Sequence, residues 1–162
     1  MNDHILTYLL LGSNLGDRKQ VLTLATEHLQ NRVGSLVIQS SIYETAPWGV
    51  TNQPSFLNQV IGLETSLEAK ELLQNTQQIE QLLGRERKEK WGARVIDIDI
   101  LYYGHQQILL EGLTIPHPFL QERRFTLVPL AEIAPNFVHP RLHLTNQALL
   151  EQCTDDGVVH LI

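Results

Sequence analysis

Asp97 and Asp99 stand two residues apart in the run Arg94-Val95-Ile96-Asp97-Ile98-Asp99-Ile100. In an extended chain successive side chains alternate between faces, so both carboxylates point one way and the three isoleucines the other. A separation of roughly 7 Å along the strand lets the pair converge on one metal ion or bridge two. Magnesium suits such a donor set. It takes hard oxygen ligands, keeps several waters, and is commonly held by one or two carboxylates together with substrate phosphates. Aspartate is disfavoured in strands, which sets this pair apart from an ordinary solvated edge.

A cationic segment lies immediately upstream. Five of the twelve lysines and arginines, Arg85, Arg87, Lys88, Lys90 and Arg94, fall between Gly84 and Arg94. The arginines offer forked donors that match phosphate oxygens, and Gly84 and Gly92 let the loop bend over a ligand. Glu86 and Glu89 interleave the run, so the two lysines also read as a solvated face. Trp91 either closes over the site or anchors the loop in the core. Glu80, one turn before the loop, would accept from a ribose or from Arg85, or else lie on the surface. His117, held between Pro116 and Pro118, can donate to a phosphoryl oxygen, though the same position suits a bland loop histidine.

Phe56 and Asn58 share a strand face, and an aromatic beside an amide can stack on and hydrogen-bond a flat heterocycle. Phe125 and the loop Thr45-Ala46-Pro47-Trp48-Gly49 can supply a second wall and backbone donors. Gly12-Ser13-Asn14-Leu15-Gly16 reads better as a turn feeding a helix cap than as a phosphate loop. The sequence contains no Gly-x-x-x-x-Gly-Lys-[Ser/Thr] motif, no His/Cys zinc spacing and no serine-protease constellation. The single Cys153 has no intrachain partner and no nucleophile motif beside it.

Strands and helices alternate in an order that would bring these residues together. His4–Leu11 is β-rich, Gly12–Gly16 a turn, and Asp17 caps a helix with Val21, Leu24, Ala25 and Leu29 at helical spacing. Leu36–Tyr43 reads as a second strand, Thr45–Pro54 as a loop and Phe56–Glu64 as a third strand. A second helix, capped near Thr65 or Ser66, carries Leu72, Leu73, Thr76, Ile79 and Leu83 down one face and ends at Gly84. Val95–Tyr103 is the fourth strand. The order β-α-β-β-α-β predicts an α+β, ferredoxin-like antiparallel sheet with both helices on one face. From Gly104 a proline-punctuated extension of short elements follows, able to wall the opposite face, where the aspartates lie.

The chain has 162 residues, 43% of them hydrophobic, which predicts a single domain over residues 1–162. A net charge of −6 with cations confined to one loop favours a local anion site over a nucleic-acid groove. The longest apolar stretch, Ile5–Leu11, is too short to span a bilayer, and the acidic-to-neutral start lacks an export signal. The expectation is a cytoplasmic protein, a monomer with no membrane or nucleic-acid partner. A non-catalytic ligand- or RNA-binding module is the alternative, since this topology hosts many. Two carboxylates on the fourth strand oppose it, because they repel phosphate unless metal is present.

Four motifs, Gly12–Gly16, Tyr43–Gly49, Phe56-Leu57-Asn58 and Lys90–Leu101, with Thr114–His117 and Arg123-Arg124-Phe125 in the same order, make the chain resemble the 6-hydroxymethyl-7,8-dihydropterin pyrophosphokinase family over nearly its whole length. The resemblance implies transfer of the β,γ-diphosphate of ATP to the pterin hydroxymethyl group, releasing AMP, in folate biosynthesis. It implies two magnesium ions on Asp97 and Asp99. It places Arg85, Arg87, Arg94, His117 and Arg123 on the triphosphate, Arg85 and Arg94 acting catalytically with the aspartates. Gln77, Glu80, Ile100 and Thr114 fall around the nucleotide, with Trp91 in a closing loop. The pterin lies between Phe56 and Phe125, with Asn58, Thr45 and backbone groups near Pro47 and Trp48. Pro118 and Gln121 depart from the family pattern, which has an aromatic and a lysine there.

Overall fold

The computed structural model describes residues 4–46, 55–84 and 95–162. Its central element, β1 (Ile5–Ser13), is flanked by β4 (Phe56–Thr65) on one side and β5 (Asp97–Tyr103) on the other, all antiparallel. The outer edge of β4 carries two short strands in line. These are β2 (Gly34–Gln39), against residues 61–65, and β3 (Tyr43–Thr45), against residues 56–58. A last strand, β8 (Val159–Leu161), adds to β3. Helix α1 (Arg18–Arg32) links β1 to β2, and α2 (Ala69–Leu82) links β4 to β5.

Both faces of β1 are buried, and alternation sorts them. Leu9 and Leu11 pack with Leu22, Ala25 and Leu29 of α1, Leu72 and Ile79 of α2, and Ile96, Ile98 and Ile100. Tyr8 and Leu10 pack with Val60, Tyr102 and the C-terminal helices α3 (Arg124–Ile133) and α4 (Asn146–Gln152). Ile98 and Ile100 of β5, with Ile96 just before it, therefore face the crossover helices. A register shift at Tyr8/Leu9 inserts Leu101 as the extra residue, so Leu101 and Tyr102 both join the α3 side. Each fully buried leucine or isoleucine contributes about 1.5–3 kcal/mol, which makes these two clusters the main source of stability.

Several boundaries differ from the sequence reading, each for a local reason. Gly12 and Ser13 belong to β1 rather than to a turn, because Gly12 still pairs with Asn58 and Asp97. The second strand breaks at Ser40, whose hydroxyl replaces a ladder acceptor by receiving the Val60 N–H at 2.9 Å. Thr65 does not cap α2. It ends β4, donating to Val33 O (2.7 Å) and receiving the Leu67 N–H. The helix starts later, where the Glu71 carboxylate reaches back to the Glu68 N–H at 3.1 Å. The extension is more helical than its prolines predict. Pro129 lies inside α3 and removes only the bond to Phe125 O, while Leu127 and Leu130 are fully buried against the sheet. The short strands β6 (Ile108–Leu110) and β7 (Leu113–Ile115) form a separate hairpin.

The extension is bolted to the sheet by polar groups. Tyr102 Oη donates to Asn146 Oδ1 (2.7 Å), and Asn146 Nδ2 donates to Ala134 O (2.8 Å). Next to them His139 is fully buried with its ring edge-on to Tyr102. Its Nδ1 accepts the Arg141 and Leu142 N–H groups, both at 3.1 Å, so the proton resides on Nε2. Burial, then Arg141 and His143, depress this imidazole from 6.5 to about 4. The unfolded chain therefore binds a proton near pH 6.5 that the folded protein refuses until about pH 4. Stability from neutral His139 is whole above pH 6.5 and is lost as the pH falls through that window. The unfolding free energy of the wild-type protein, from urea titrations, should fall between pH 7 and 4.5 by on the order of 2 kcal/mol more than that of His139→Gln. Parallel pH profiles for the two proteins would contradict this account.

Candidate active site

The strand register brings the chemistry-bearing residues into rows. Gly12 lies between Asn58 on β4 and Asp97 on β5, and one step along Leu10 lies between Val60 and Asp99. Leu10, Gly12, Asn58, Asp97 and Asp99, together with Thr45, Ala46 and Phe56, line a cavity of about 200 Å³, closed from the extension by Arg123 and Phe125. The floor stays open because residue 12 has no side chain. A Cβ there would sit 3.1 Å from Asn58 Oδ1 and 3.8 Å from Phe56 Cδ1.

Each wall is held from behind. The buried Asn58 donates from Nδ2 to Thr45 Oγ1 at 2.9 Å, joining β4 to β3 across the sheet. On the helix side, Arg18 at the start of α1 bonds Glu44 Oε2 (2.7 Å) and Ser55 O (2.8 Å), tying β3 to the entry of β4. Phe125 is the second residue of α3 and lines the same cavity as Phe56. The Arg123 guanidinium lies over two rings, 5.1 Å from the Phe119 centroid and 5.7 Å from that of Phe125.

Two further groups set the electrostatics and shape of β5. His117 hydrogen-bonds through its N–H to Leu101 O (3.1 Å), and its ring Nδ1 accepts the Phe119 N–H at 3.2 Å. Burial lowers its pKa, and Arg123 adds to this against the opposing pull of Asp99. The neutral ring then presents Nε2–H as a donor between a carboxylate and a guanidinium. Glu80 is no surface residue. It is only 5% exposed, and its Oε2 accepts the Ile98 N–H at 2.9 Å, at the residue between the two aspartates. It thereby satisfies an outward backbone donor of an edge strand and fixes the pleat that aims both carboxylates into the cavity.

Of the residues singled out from sequence, Thr45, Phe56, Asn58, Asp97, Asp99, Arg123 and Phe125 line the one cavity. His117 stands beside it. Ile100 is buried in the helix-side core, so only its backbone can meet a ligand. Gln77 is exposed on α2 and Thr114 on β7. Pro47, Trp48, Arg85, Arg87, Trp91 and Arg94 lie outside the described residues. The two family departures meet each other, Gln121 Nε2 donating to Pro118 O at 3.1 Å. Sequence reasoning read Gly12 as part of a turn and passed over Leu10 and Phe119. Cross-strand pairing would have exposed the first two, since the motif glycine must lie opposite the aspartate strand. The i, i+4 spacing of Phe119 and Arg123 signalled the third. Among the described residues no group of three His, Cys, Asp or Glu is placed to hold a metal ion, and a cation on the two aspartates would suit magnesium's habit of taking further oxygens from substrate and water.

Residues 8–135 match the family model of 7,8-dihydro-6-hydroxymethylpterin-pyrophosphokinase. A 2-amino-4-hydroxy-6-hydroxymethyldihydropteridine pyrophosphokinase of Methylorubrum extorquens is 49% identical over 132 residues, covering 81% of this chain and 84% of the relative. The enzyme of the same name from Aquifex aeolicus is 46% identical over 133 residues, 82% of each chain. The folic acid synthesis protein FOL1 of Dictyostelium discoideum is 40% identical over 97% of this chain, which spans 24% of that longer protein. In three dimensions the chain is similar to wild-type Plasmodium falciparum HPPK-DHPS crystallised with pteroate. The TM-score is 0.76 at 17% identity, covering 94% of this chain and 43% of that one, a likeness of fold.

Proposed function

The chain belongs to the 7,8-dihydro-6-hydroxymethylpterin pyrophosphokinase family, and from that premise we propose that its cavity carries out diphosphoryl transfer from ATP to 6-hydroxymethyl-7,8-dihydropterin in folate biosynthesis. One observation supports this above the others: two phenylalanine rings and an amide share a single cavity with two adjacent carboxylates. A non-catalytic binding module has no use for that combination. The strand order, with two segments sharing the edge of β4, fits the ferredoxin-like class, and the chain reads as one pyrophosphokinase domain over residues 1–162.

In this reading the pterin ring lies between Phe56 and Phe125, with Asn58 and Thr45 fixing its polar edge and Pro47 and Trp48 bordering it. Its hydroxymethyl oxygen then faces Asp97 and Asp99. That oxygen attacks Pβ of ATP and gives up its proton to solvent, the bond from Pβ to the oxygen bridging it to Pα breaks, and AMP leaves with that oxygen and the bonding pair. The aspartates' oxygen donors fit two magnesium ions, which when bound would neutralise phosphate charge and polarise the attacking hydroxyl. His117 donates from Nε2 and Arg123 from its guanidinium to phosphoryl oxygens, holding the chain of phosphates in line. Gln77, Glu80, Ile100 and Thr114 surround the nucleotide. Arg85, Arg87 and Arg94 complete its charge neutralisation, and Trp91 closes over it. Glu80 acts by holding β5. The protein works as a cytoplasmic monomer on small molecules, without nucleic acid or membrane.

Incubating the protein with ATP, magnesium and the pterin, then separating the nucleotides by chromatography, tests the reaction. AMP and a diphosphorylated pterin are expected. ADP would make it an ordinary kinase, and no nucleotide consumption would return the chain to the binding-module class.

A further inference from the structure

We propose that Asp155 is a positioning residue for this cavity, holding its Phe125 wall and its Thr45 wall at a fixed separation. The proposal rests on the pterin reading of the cavity.

Phe125 is aimed by the first turn of α3, yet that turn has no ordinary cap. The residue before it is Arg123, whose side chain makes no capping bond. The acceptor comes from 31 residues later instead, where Asp155 Oδ2 receives the Arg124 N–H at 3.0 Å. An acidic group is favoured there by the positive end of the helix as well as by the hydrogen bond. Asp155 Oδ1 receives the Gly157 N–H at 2.9 Å and so turns the chain toward β8. That strand pairs Val159 with Thr45, His160 with Glu44 and Leu161 with Tyr43. Thr45 in turn accepts from Asn58.

One carboxylate thus joins both walls, with one oxygen committed to each. A second hollow behind the first is lined by Thr45, Ala46, Phe125, Asp155, Val158 and Val159. The segment from Asp155 to Val159 therefore stands directly behind the aromatic wall. The family match ends at residue 135, so this brace lies in sequence outside it. The aspartates and His117 hang from β5 and the loop after β7, while Arg123 adjoins the turn that Asp155 caps.

Stacking depends steeply on ring separation, whereas of the groups placed on the phosphates the aspartates and His117 hang from other elements. In calorimetric titrations Asp155→Ala should therefore weaken binding of 6-hydroxymethyl-7,8-dihydropterin by about tenfold. Affinity for magnesium and α,β-methylene ATP should fall by clearly less, about threefold at most, because Arg123 adjoins the capped turn while the aspartates and His117 do not. Asp155→Asn keeps one acceptor of two and should lose about threefold for the pterin alone. Pterin affinity within about twofold of wild type in both variants would overturn the proposal, as would an equal loss for both ligands, which marks general loosening. If Asp155→Ala does not fold, Asp155→Asn is judged by the same criteria. Wild-type protein that binds no pterin would instead refute the reading on which the proposal stands.

Discussion

Alanine at Asp97 or at Asp99 is expected to lower kcat/KM by about a thousandfold or more, close to 4 kcal/mol of transition-state stabilisation. Melting should change little. Both side chains face the cavity, while the core contacts of β5 come from Ile98 and Ile100 on the opposite face. The charge, not the shape, is what the reaction needs, so Asp97→Asn and Asp99→Asn should be nearly as damaged. Raising magnesium should recover part of the rate in the single variants, because one carboxylate with phosphate oxygens still forms a partial shell. Steady-state kinetics across a magnesium series, beside thermal melts, gives the answer. Wild-type turnover in either alanine variant would remove the aspartates from the mechanism.

Valine at Gly12 is expected to reduce pterin affinity by about a hundredfold while leaving nucleotide binding in place. The new Cβ alone would lie 3.1 Å from Asn58 Oδ1, and the branched methyls would fill the cavity floor between Asn58 and Asp97. The backbone there is an ordinary strand that valine suits, so folding is preserved and the loss is one of space. Gly12→Ala should give a smaller loss of the same kind, since its single methyl meets only the tip of an amide. Titration of the pterin and of a nucleotide analogue into each variant separates the two effects. Equal weakening of both ligands would mean that the substitution distorts the sheet rather than occupying the floor.

These two experiments address residues of unequal visibility. The aspartates were legible because alternation with isoleucine is a local pattern of period two, and a strand makes it into two faces wherever the strand is placed. The pairing of Phe56 with Asn58 followed from the same rule. Gly12 carried no such period. Its role depends on which strands flank it, and its two neighbours lie 46 and 85 residues away. Glu80 was equally opaque, because a helix periodicity cannot say that a carboxylate at its end will meet an edge strand's N–H. Pro129 misled, since local propensity treats proline as a breaker while burial of Leu127 and Leu130 decides the outcome.

The sequence by itself determined the family, the alternation that puts both aspartates on one strand face, and the order of elements that makes an antiparallel α+β sheet. Those are properties of neighbours along the chain, written in spacing and motif. Only the tertiary structure decided that the extension folds into two helices against the aspartate face, that Glu80 is buried, and that Asp155 reaches the start of α3. Each of these is a contact between segments tens of residues apart, chosen by which apolar surfaces and unpaired backbone groups meet when the sheet closes.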